Sequence, residues 1–213
     1  MAHKIIYFVR HGETKNNALG IRQDEKGPLN EKGRAQALAA ANRFPKHKGR
    51  PQIIIASPYE RTRETASIIA KELHLRVKYC NLLKERRNPS EVIGHAGSEP
   101  EVRKIIDRID NSYHADDLRV SDEENFTDLK KRAKKLLRYI TWRSQSRIIM
   151  VTHKIFLKMV IAYMIHGDKL TASEYNSLSF FNPLDNAGMV ICTYTSHWFK
   201  PDEWKVLVWN DLA

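Results

Sequence analysis

Long hydrophobic runs are missing from this sequence of 213 residues. Near the N-terminus, the apolar stretch at residues 5–9 is too short for the core of a signal peptide and far too short to span a bilayer. A longer apolar stretch, at residues 155–165, is interrupted by Lys158. We therefore expect a cytoplasmic protein that has no membrane partner.

Cysteine is also scarce. The sequence contains two cysteines, Cys80 and Cys192, which lie far apart and form no C-x-x-C pair. This spacing argues against a disulfide framework and against a thiolate metal site. Reduced thiols are the expectation for both residues.

Acidic residues are outnumbered, because 25 Asp and Glu stand against 36 Lys and Arg and give a formal net charge of +11. Such a balance favours anionic partners, such as phosphate esters, nucleic acid or an acidic membrane surface. Many of the basic residues lie between Lys130 and Arg138, where the apolar positions are spaced as on the buried side of a helix. Aromatic residues for base stacking are not interleaved with them, so we interpret this segment as a solvated helix face and expect no nucleic-acid partner.

Short apolar runs alternate with helical patterns along the chain. The runs predict strands at residues 5–9, 53–56, 77–80, 148–151, 189–194 and 206–209. This alternation predicts an α/β fold, a three-layer sandwich whose mostly parallel central sheet is flanked by helices. The length and the 42% apolar content fit a single domain over residues 1–213.

Several residues are typical of helix ends. Ser57, Pro58 and Glu60 predict an N-cap, a first-turn proline and a capping box. Ser98 with Glu101 repeats that pattern, and Gly167 suits the end of a helix. The polar stretch at residues 88–125 is interpreted as a small insertion that holds one helix and lies over the sheet edge. Its acidic cluster, Asp116, Asp117 and residues 122–124, matches no calcium-binding loop and is expected to be solvated.

Charged and catalytic residue types follow the predicted strands directly. Arg10 and His11 end the first strand, Ser57 and Arg61 follow the second, and Thr152-His153 follows the strand at residue 148. Because ligands of an open α/β sheet bind at the carboxyl ends of its strands, we expect two histidines and two arginines to converge at one edge. A purely structural role is not expected for these four residues, because burying so many cations together without an anion would be costly.

This set of residues fits phosphoryl transfer. Guanidinium groups bind a phosphoryl dianion through paired N–H donors, and the helix expected at Pro58 adds its positive end. The nearby charges of Arg10 and Arg61 should lower the pKa of His11 and keep it a neutral nucleophile. Gly12 is expected to permit a close turn where a side chain would obstruct the phosphate.

A leaving alkoxide also needs a proton, which calls for a carboxylic acid of raised pKa near the pocket. The candidate is Glu85, which follows the strand at residues 77–80 and the apolar pair Leu82-Leu83. Glu13 is the rival, but as a neighbour of the nucleophile it is expected to serve the structure instead.

Taken together, these segments resemble the histidine phosphatase superfamily, also called phosphoglycerate mutase-like. Its hallmark R-H-G-E-T-x-x-N stands at residues 10–17, and further matches follow in family order from residue 5 to about residue 190. They comprise residues 28–33 with Gln36, residues 57–61 with Thr65-Ala66, residues 83–85, residues 124–126 with Leu129 and Arg132, and residues 151–153.

The resemblance implies a metal-independent phosphatase with no cofactor. It implies that His11 is the phosphorylated nucleophile, that Arg10, Arg61 and His153 form the phosphate pocket, and that Glu85 donates the proton. Asn17 and the backbone around Thr14 would make secondary phosphate contacts. Two departures from the family pattern are Lys154 in place of the usual glycine and Asn16 in place of a common tryptophan.

Two other functions remain alternatives. One is phosphoryl transfer of the phosphoglycerate mutase type, although the longer basic insertion of cofactor-dependent mutases has no counterpart here. The other is a non-catalytic module that binds phosphorylated ligands, against which the presence of both His11 and Glu85 argues. The motifs specify only the phosphoryl end of a small-molecule or phosphoprotein substrate, so the alcohol portion and the oligomeric state are open.

Overall fold

The computed structural model describes residues 2–110, 116–181 and 183–212. Within these ranges the chain forms six strands and seven α-helices. The strands are β1 (His3–Arg10), β2 (Ile53–Ala56), β3 (Val77–Tyr79), β4 (Arg147–Thr152), β5 (Met189–Thr195) and β6 (Glu203–Asp211). The helices are α1 (Lys15–Ala18), α2 (Glu31–Asn42), α3 (Glu60–Leu73), α4 (Pro100–Asp110), α5 (Phe126–Thr141), α6 (Lys154–His166) and α7 (Ala172–Phe181).

All six strands form one sheet in the order β3-β2-β4-β1-β5-β6. The first four strands in that order are parallel, whereas β5 runs antiparallel to β1 and β6 antiparallel to β5. The predicted mostly parallel sheet is therefore confirmed. Each predicted strand is present, with its ends within three residues of the prediction.

Alternate residues of β1 face the two sides of the sheet. Ile6 and Phe8 belong to a core cluster that includes buried residues of α5 and α6, whereas Tyr7 and Val9 belong to a second cluster with residues of α2 and α3. The apolar positions of β1 are buried on both faces because helices cover both. The three-layer arrangement predicted from the sequence is thus confirmed, and it leaves the carboxyl ends of the parallel strands as the place where loops meet.

The predicted helix start at Ser57 and Pro58 is wrong. Helix α3 begins at Glu60 with Tyr59 at its N-cap, and that cap has no side-chain hydrogen bond. Ser57 remains extended because its backbone N–H donates to the Val151 carbonyl at 3.0 Å, which continues the pairing of β2 with β4. Its hydroxyl is therefore free to serve another purpose, described below.

The insertion also differs in detail from the prediction. Helix α4 begins at Pro100, and the residue before it is Glu99, whose carboxylate accepts the Ala96 N–H at 2.7 Å. Because proline is well suited to the first position of a helix, the cap position falls on Glu99, one residue after the predicted Ser98. Gly167 does end α6 as predicted, with a φ of 59°.

The acidic cluster of the insertion is not uniformly solvated. Glu123 is buried and accepts the backbone N–H groups of Val120 and Ser121, each at 2.7 Å. Glu124 forms an ion pair with Arg132 at 2.5 Å. The expectation of solvated acid is thus wrong for these two residues, because local backbone donors and a basic side chain of α5 compensate their charge.

Two global features bear on the sequence predictions. Both cysteines, Cys80 and Cys192, carry free thiols. Among the described residues, no helix is long and apolar enough to cross a membrane.

Candidate active site

The two predicted site histidines lie side by side. His11 follows β1 and His153 follows β4, and these strands are parallel neighbours, so both imidazoles emerge at the same edge of the sheet. Their ring centroids are 5.2 Å apart, and the backbone N–H of His11 donates to the Thr152 carbonyl at 3.0 Å. The strand pairing itself therefore sets the distance between the two rings.

The hydrogen bonds of His11 select one tautomer. Its imidazole is buried, with 3% of the residue exposed, and Nδ1 lies 2.7 Å from the carbonyl oxygen of Gly12. A carbonyl oxygen only accepts hydrogen bonds, so Nδ1 must carry the proton. Nε2 of a neutral His11 then holds the lone pair that a nucleophile needs.

Both imidazoles are held neutral. Burial lowers the pKa of His11 well below 6.5, and the charges of Arg61 and Arg10 lower it further, against a smaller opposing effect of the Gly12 hydrogen bond. Burial is also the largest cause of the lowered pKa of His153, followed by the charge of Arg61. The predicted direction for His11 agrees with the structure, but desolvation has a larger effect than the arginines named from the sequence.

The two predicted arginines lie in the same pocket and are anchored by backbone carbonyls. Arg61 is 2% exposed, and its Nη1 donates to the Asp24 carbonyl at 2.7 Å. Nη1 of Arg10 donates to the Leu184 carbonyl at 2.8 Å. Burial lowers the pKa of Arg10 to about 10, so both guanidinium groups remain charged at neutral pH. The sequence could not identify these anchors, because a carbonyl group is common to every residue.

Three nitrogen atoms of the pocket lack protein partners. Nε of Arg10, Nε of Arg61 and Nδ1 of His153 are buried, and none has a hydrogen-bond partner among the described residues. A buried cation with unsatisfied N–H groups is costly unless an anion binds it. The described residues also hold no group of three or more His, Cys, Asp or Glu side chains suited to a metal ion. The donor set therefore suits an oxyanion.

Ser57 positions the second histidine. Its hydroxyl oxygen lies 3.0 Å from Nε2 of His153 and also accepts the Tyr59 backbone N–H at 3.3 Å. Sequence reasoning assigned Ser57 to a helix cap and so missed this contact. Its position directly after β2, next to β4 in the sheet, was the signal that would have pointed to it.

Glu85 lies at the N-terminus of α6. Its Oε1 accepts the Phe156 backbone N–H at 2.9 Å, and Oε2 accepts that of Ile155 at 3.2 Å. Oε1 also accepts the N–H of Arg86 at 2.9 Å. The carboxylate is close enough to Arg10 and Arg61 for its charge to oppose the lowering of both their pKa values. Glu85 therefore belongs to this site, where three backbone N–H donors hold its carboxylate in place.

Arg132 of α5 fixes the loop that carries Glu85. Nη1 donates to the carbonyl oxygens of Lys84 at 2.6 Å and Leu82 at 3.1 Å, and Nη2 donates to that of Glu85 at 3.3 Å. The same guanidinium pairs with Glu124. The sequence matched Arg132 to a family segment without assigning it a task.

Gly12 is required for a reason that the sequence did not suggest. A Cβ atom on Gly12 would overlap the Gly33 carbonyl oxygen, and a Cβ on Gly33 would overlap the backbone of Glu13. The two glycines thus let α2 pack directly against the loop that carries His11. Glu13 itself pairs with Lys32 at 2.9 Å, as expected of a structural carboxylate.

Thr14 and Asn17 bond mainly to each other. Thr14 caps α1, its hydroxyl accepting the Asn17 backbone N–H at 3.1 Å, while Oδ1 of Asn17 accepts the Thr14 N–H at 3.3 Å. Nδ2 of Asn186 donates to the His11 carbonyl at 3.1 Å and lies 3.4 Å from Asn17 Oδ1. This network shapes the loop beside His11, and the direct phosphate contacts of Thr14 and Asn17 stay a prediction.

Comparison with known protein families decides the classification. The family model described as histidine phosphatase superfamily, branch 1, matches residues 6–212. The chain belongs to the histidine phosphatase superfamily. The resemblance read from the sequence motifs is confirmed.

Curated relatives share part of this sequence. The probable phosphoglycerate mutase GpmB of Escherichia coli is 41% identical over 81 residues, which are 38% of this chain and 37% of that protein. A probable phosphatase of Schizosaccharomyces pombe is 33% identical over 88 residues, which are 38% of this chain and 41% of that protein. The matched segments thus span about two fifths of the length of these relatives.

A solved structure extends the likeness in fold to the whole chain. The phosphoserine phosphatase from Entamoeba histolytica, as a mutant complexed with phosphoserine, superposes with a TM-score of 0.74. The match covers 98% of each chain at 22% identity, a level that shows the shared fold.

One departure of this chain from the family pattern lies beside the pocket. Lys154, which replaces the usual glycine after the second histidine, is the first residue of α6. Burial and the charge of Arg10 lower the pKa of its ammonium group. Lys154 therefore adds a cation at the rim of an already cationic site.

Proposed function

We propose that this protein is a single-domain, cytoplasmic phosphatase that hydrolyses phosphate monoesters through a phosphohistidine intermediate on His11, without a metal or cofactor. The observation that carries the proposal is the neutral His11 imidazole, whose Nδ1 proton is engaged by Gly12, beside buried arginine donors that lack partners in the described part of the chain. Its substrates are phosphorylated small molecules or phosphoproteins.

In the first half-reaction, Nε2 of His11 attacks phosphorus and the bond from phosphorus to the leaving oxygen breaks. The guanidinium groups of Arg10 and Arg61 and the ring of His153 bind the phosphoryl oxygens, where negative charge is concentrated in the transition state. The Gly12 carbonyl stabilises the positive charge that develops on the imidazole of His11. The leaving alkoxide takes its proton from the Glu85 carboxyl group.

In the second half-reaction, water attacks the phosphorus atom of phosphohistidine. The Glu85 carboxylate takes a proton from that water, the bond from phosphorus to Nε2 breaks, and inorganic phosphate leaves. The three backbone N–H groups that donate to Glu85 orient its carboxylate for this proton transfer.

The test compares turnover of p-nitrophenyl phosphate in EDTA by the wild type, His11→Ala and His47→Ala. His47 is exposed and lies outside the site, so its replacement controls for loss of a histidine. The proposal predicts turnover by the wild type and by His47→Ala and a loss of at least about a thousandfold in His11→Ala. No wild-type turnover combined with retained phosphate-ester binding would instead identify a binding module.

Phosphoglycerate mutase-type transfer is the second candidate, favoured by the 41% identity with a probable phosphoglycerate mutase. A mutase hands the phosphoryl group back to its substrate, whereas a phosphatase hands it to water. The two are separated by incubation with one phosphoglycerate isomer. Accumulation of the other isomer would favour the mutase, and release of inorganic phosphate alone favours the phosphatase.

A further inference from the structure

A cavity of about 440 Å³ lies beside the segments that carry His153 and Glu85. Its wall includes Lys154 and Ile155, which directly follow His153, and Arg86, which directly follows Glu85. Pro183 lies on the same wall, next to Leu184, whose carbonyl anchors Arg10. The cavity therefore lies next to the phosphoryl site, and Arg10 is close enough to Lys154 and Lys158 for its charge to lower both their pKa values. It offers room for the rest of a phosphate ester.

Two arginines from different segments face this cavity. Arg22 comes from the loop after α1, held by a backbone hydrogen bond to His95 at 2.9 Å, and Arg86 follows the loop of Glu85. Arg86 is 8% exposed, and the Nε atoms of both side chains are buried without a partner in the described ranges. The two groups are close enough for the charge of Arg86 to lower the pKa of Arg22.

Two lysines of α6 add to this charge. Lys154 and Lys158 lie one helical turn apart, and both line the cavity. Lys158 is 5% exposed and donates to the Ser179 carbonyl. Burial, together with the charges of Lys154 and Arg10, lowers the pKa of Lys158 to about 8. Four cations thus line one cavity, and two of them, Arg86 and Lys158, are buried.

The acidic groups near the cavity offset these four cations only in part: the charges of Asp110 and Glu85 act on Arg22, and those of Asp185 and Glu85 on Lys154. Glu124 is paired with Arg132, and Glu123 bonds to backbone N–H groups. Asp110 lies 3.7 Å from Nη1 of Arg86, too far for a strong hydrogen bond, and its side chain is 59% exposed. The cavity therefore holds a surplus of positive charge, which a bound anion would balance.

We propose that this cavity, lined by Arg22, Arg86, Lys154 and Lys158, binds a second anionic group of the substrate. The substrate class is then a phosphate monoester whose alcohol portion carries a further oxyanion, either a carboxylate or a second phosphate. Planar guanidinium groups bind either oxyanion through paired N–H donors. This inference rests on the proposed function, because it assigns the leaving-group side of the same site.

The test compares three esters on one three-carbon skeleton. Glycerol 3-phosphate has an uncharged alcohol portion, 3-phosphoglycerate adds a carboxylate, and glycerol 1,3-bisphosphate adds a phosphate. The inference predicts that kcat/KM for phosphate release is at least about tenfold higher for one or both charged esters than for glycerol 3-phosphate. The better of the two charged esters identifies the oxyanion, and equal values for all three would overturn the inference.

Affinity gives a readout that does not depend on turnover. Calorimetric Kd values of the same esters are measured on His11→Ala, with the same tenfold preference expected. In Arg86→Gln and Arg22→Gln the preference should fall toward one. Arg103→Gln is the control, because it removes an equal charge from an exposed position on α4, and it should keep the preference. Loss of the preference in Arg103→Gln would show a general effect of charge and would contradict the inference.

Failure of this inference is distinguishable from failure of the proposed function. Turnover of p-nitrophenyl phosphate with no preference among the three esters would leave the phosphatase proposal standing and remove the second anion site. A preference in Kd without turnover of any ester would leave the second anion site standing and remove the phosphatase proposal.

Discussion

Nδ1 of His11 lies 2.7 Å from the carbonyl oxygen of Gly12, the next residue in the chain. This bond is made within the loop that follows β1, so the tautomer of the nucleophile is set locally. The same loop packs against Gly33 of α2, which leaves it little freedom to turn. The consequence is a histidine whose Nε2 is available for attack before any substrate arrives.

The free energy of unfolding should fall as the pH falls below 6.5. The pKa values of His11 and His153 are lowered in the folded state, so between the folded value and about 6.5 the unfolded chain binds more protons than the folded chain. Stability therefore rises with pH in that window, by up to about 1.4 kcal/mol per pH unit for each histidine. Urea unfolding at pH 7.5, 6.5 and 5.5 measures this slope.

Variants assign that slope to the site. His11→Gln and His153→Gln should each make stability less dependent on pH, whereas His47→Gln, at an exposed position, should leave the slope unchanged. An unchanged slope in both site variants would show that these imidazoles titrate normally.

Binding of a phosphate analogue should depend on Arg61 and not on its neighbour Arg63. Both residues lie on α3, but Arg61 is buried in the pocket and Arg63 is exposed over the ring of Tyr79. Orthovanadate at about a hundred times its Kd should stabilise the wild type by roughly 2.7 kcal/mol. Thermal unfolding should show this gain in Arg63→Gln and little of it in Arg61→Gln, and an equal gain in both variants would place the anion elsewhere.

Gly33→Ala should weaken both stability and activity. The new Cβ would overlap the Glu13 backbone, so α2 and the His11 loop must move apart, which costs about 1 to 3 kcal/mol. Gly97→Ala is the matched control, since a Cβ there makes only ordinary contacts. Urea unfolding and p-nitrophenyl phosphate turnover check this. Comparable behaviour of the two variants would mean that the close approach of α2 is unimportant.

Loss of the Glu85 carboxyl should affect poor leaving groups most. In Glu85→Gln, hydrolysis of an alkyl phosphate should slow by about a hundredfold or more, because its alkoxide needs a proton. The first half-reaction of p-nitrophenyl phosphate should slow by a smaller factor, because nitrophenolate leaves without needing a proton. Burst kinetics separate that half-reaction from hydrolysis of the intermediate. Equal losses for both esters in the first half-reaction would remove Glu85 from the acid role and leave it as a cap of α6.

The sheet was predictable because its signals are local. The β-branched apolar runs at residues 53–56 and 148–151 correspond to strands that are buried on both faces, and such runs read as strands without knowledge of their partners. The convergence of His11, Arg61 and His153 followed from the rule that ligands bind at the carboxyl ends of parallel strands. The single-domain assignment stays a prediction.

What the sequence did not predict depends on contacts between distant segments. Ser57 looked like a helix cap, and only its position next to His153 in the folded sheet reveals its other contact. Arg22 and Lys158 lie far apart in sequence and share one cavity only because the loop after α1 and helix α6 meet there. Glu123 is a different case, because its partners are close in sequence and its burial depends on how its own loop folds around it.

The most direct test of the account is identification of the phosphorylated residue during turnover. The wild type is mixed with p-nitrophenyl phosphate and quenched in alkali, since phosphohistidine is labile in acid, and the peptides are sequenced by mass spectrometry. The account predicts a phosphoryl group on His11, attached at Nε2 as seen by ³¹P NMR, and none on His153. Turnover with the phosphoryl group on another residue, or on Nδ1 of His11, would contradict it.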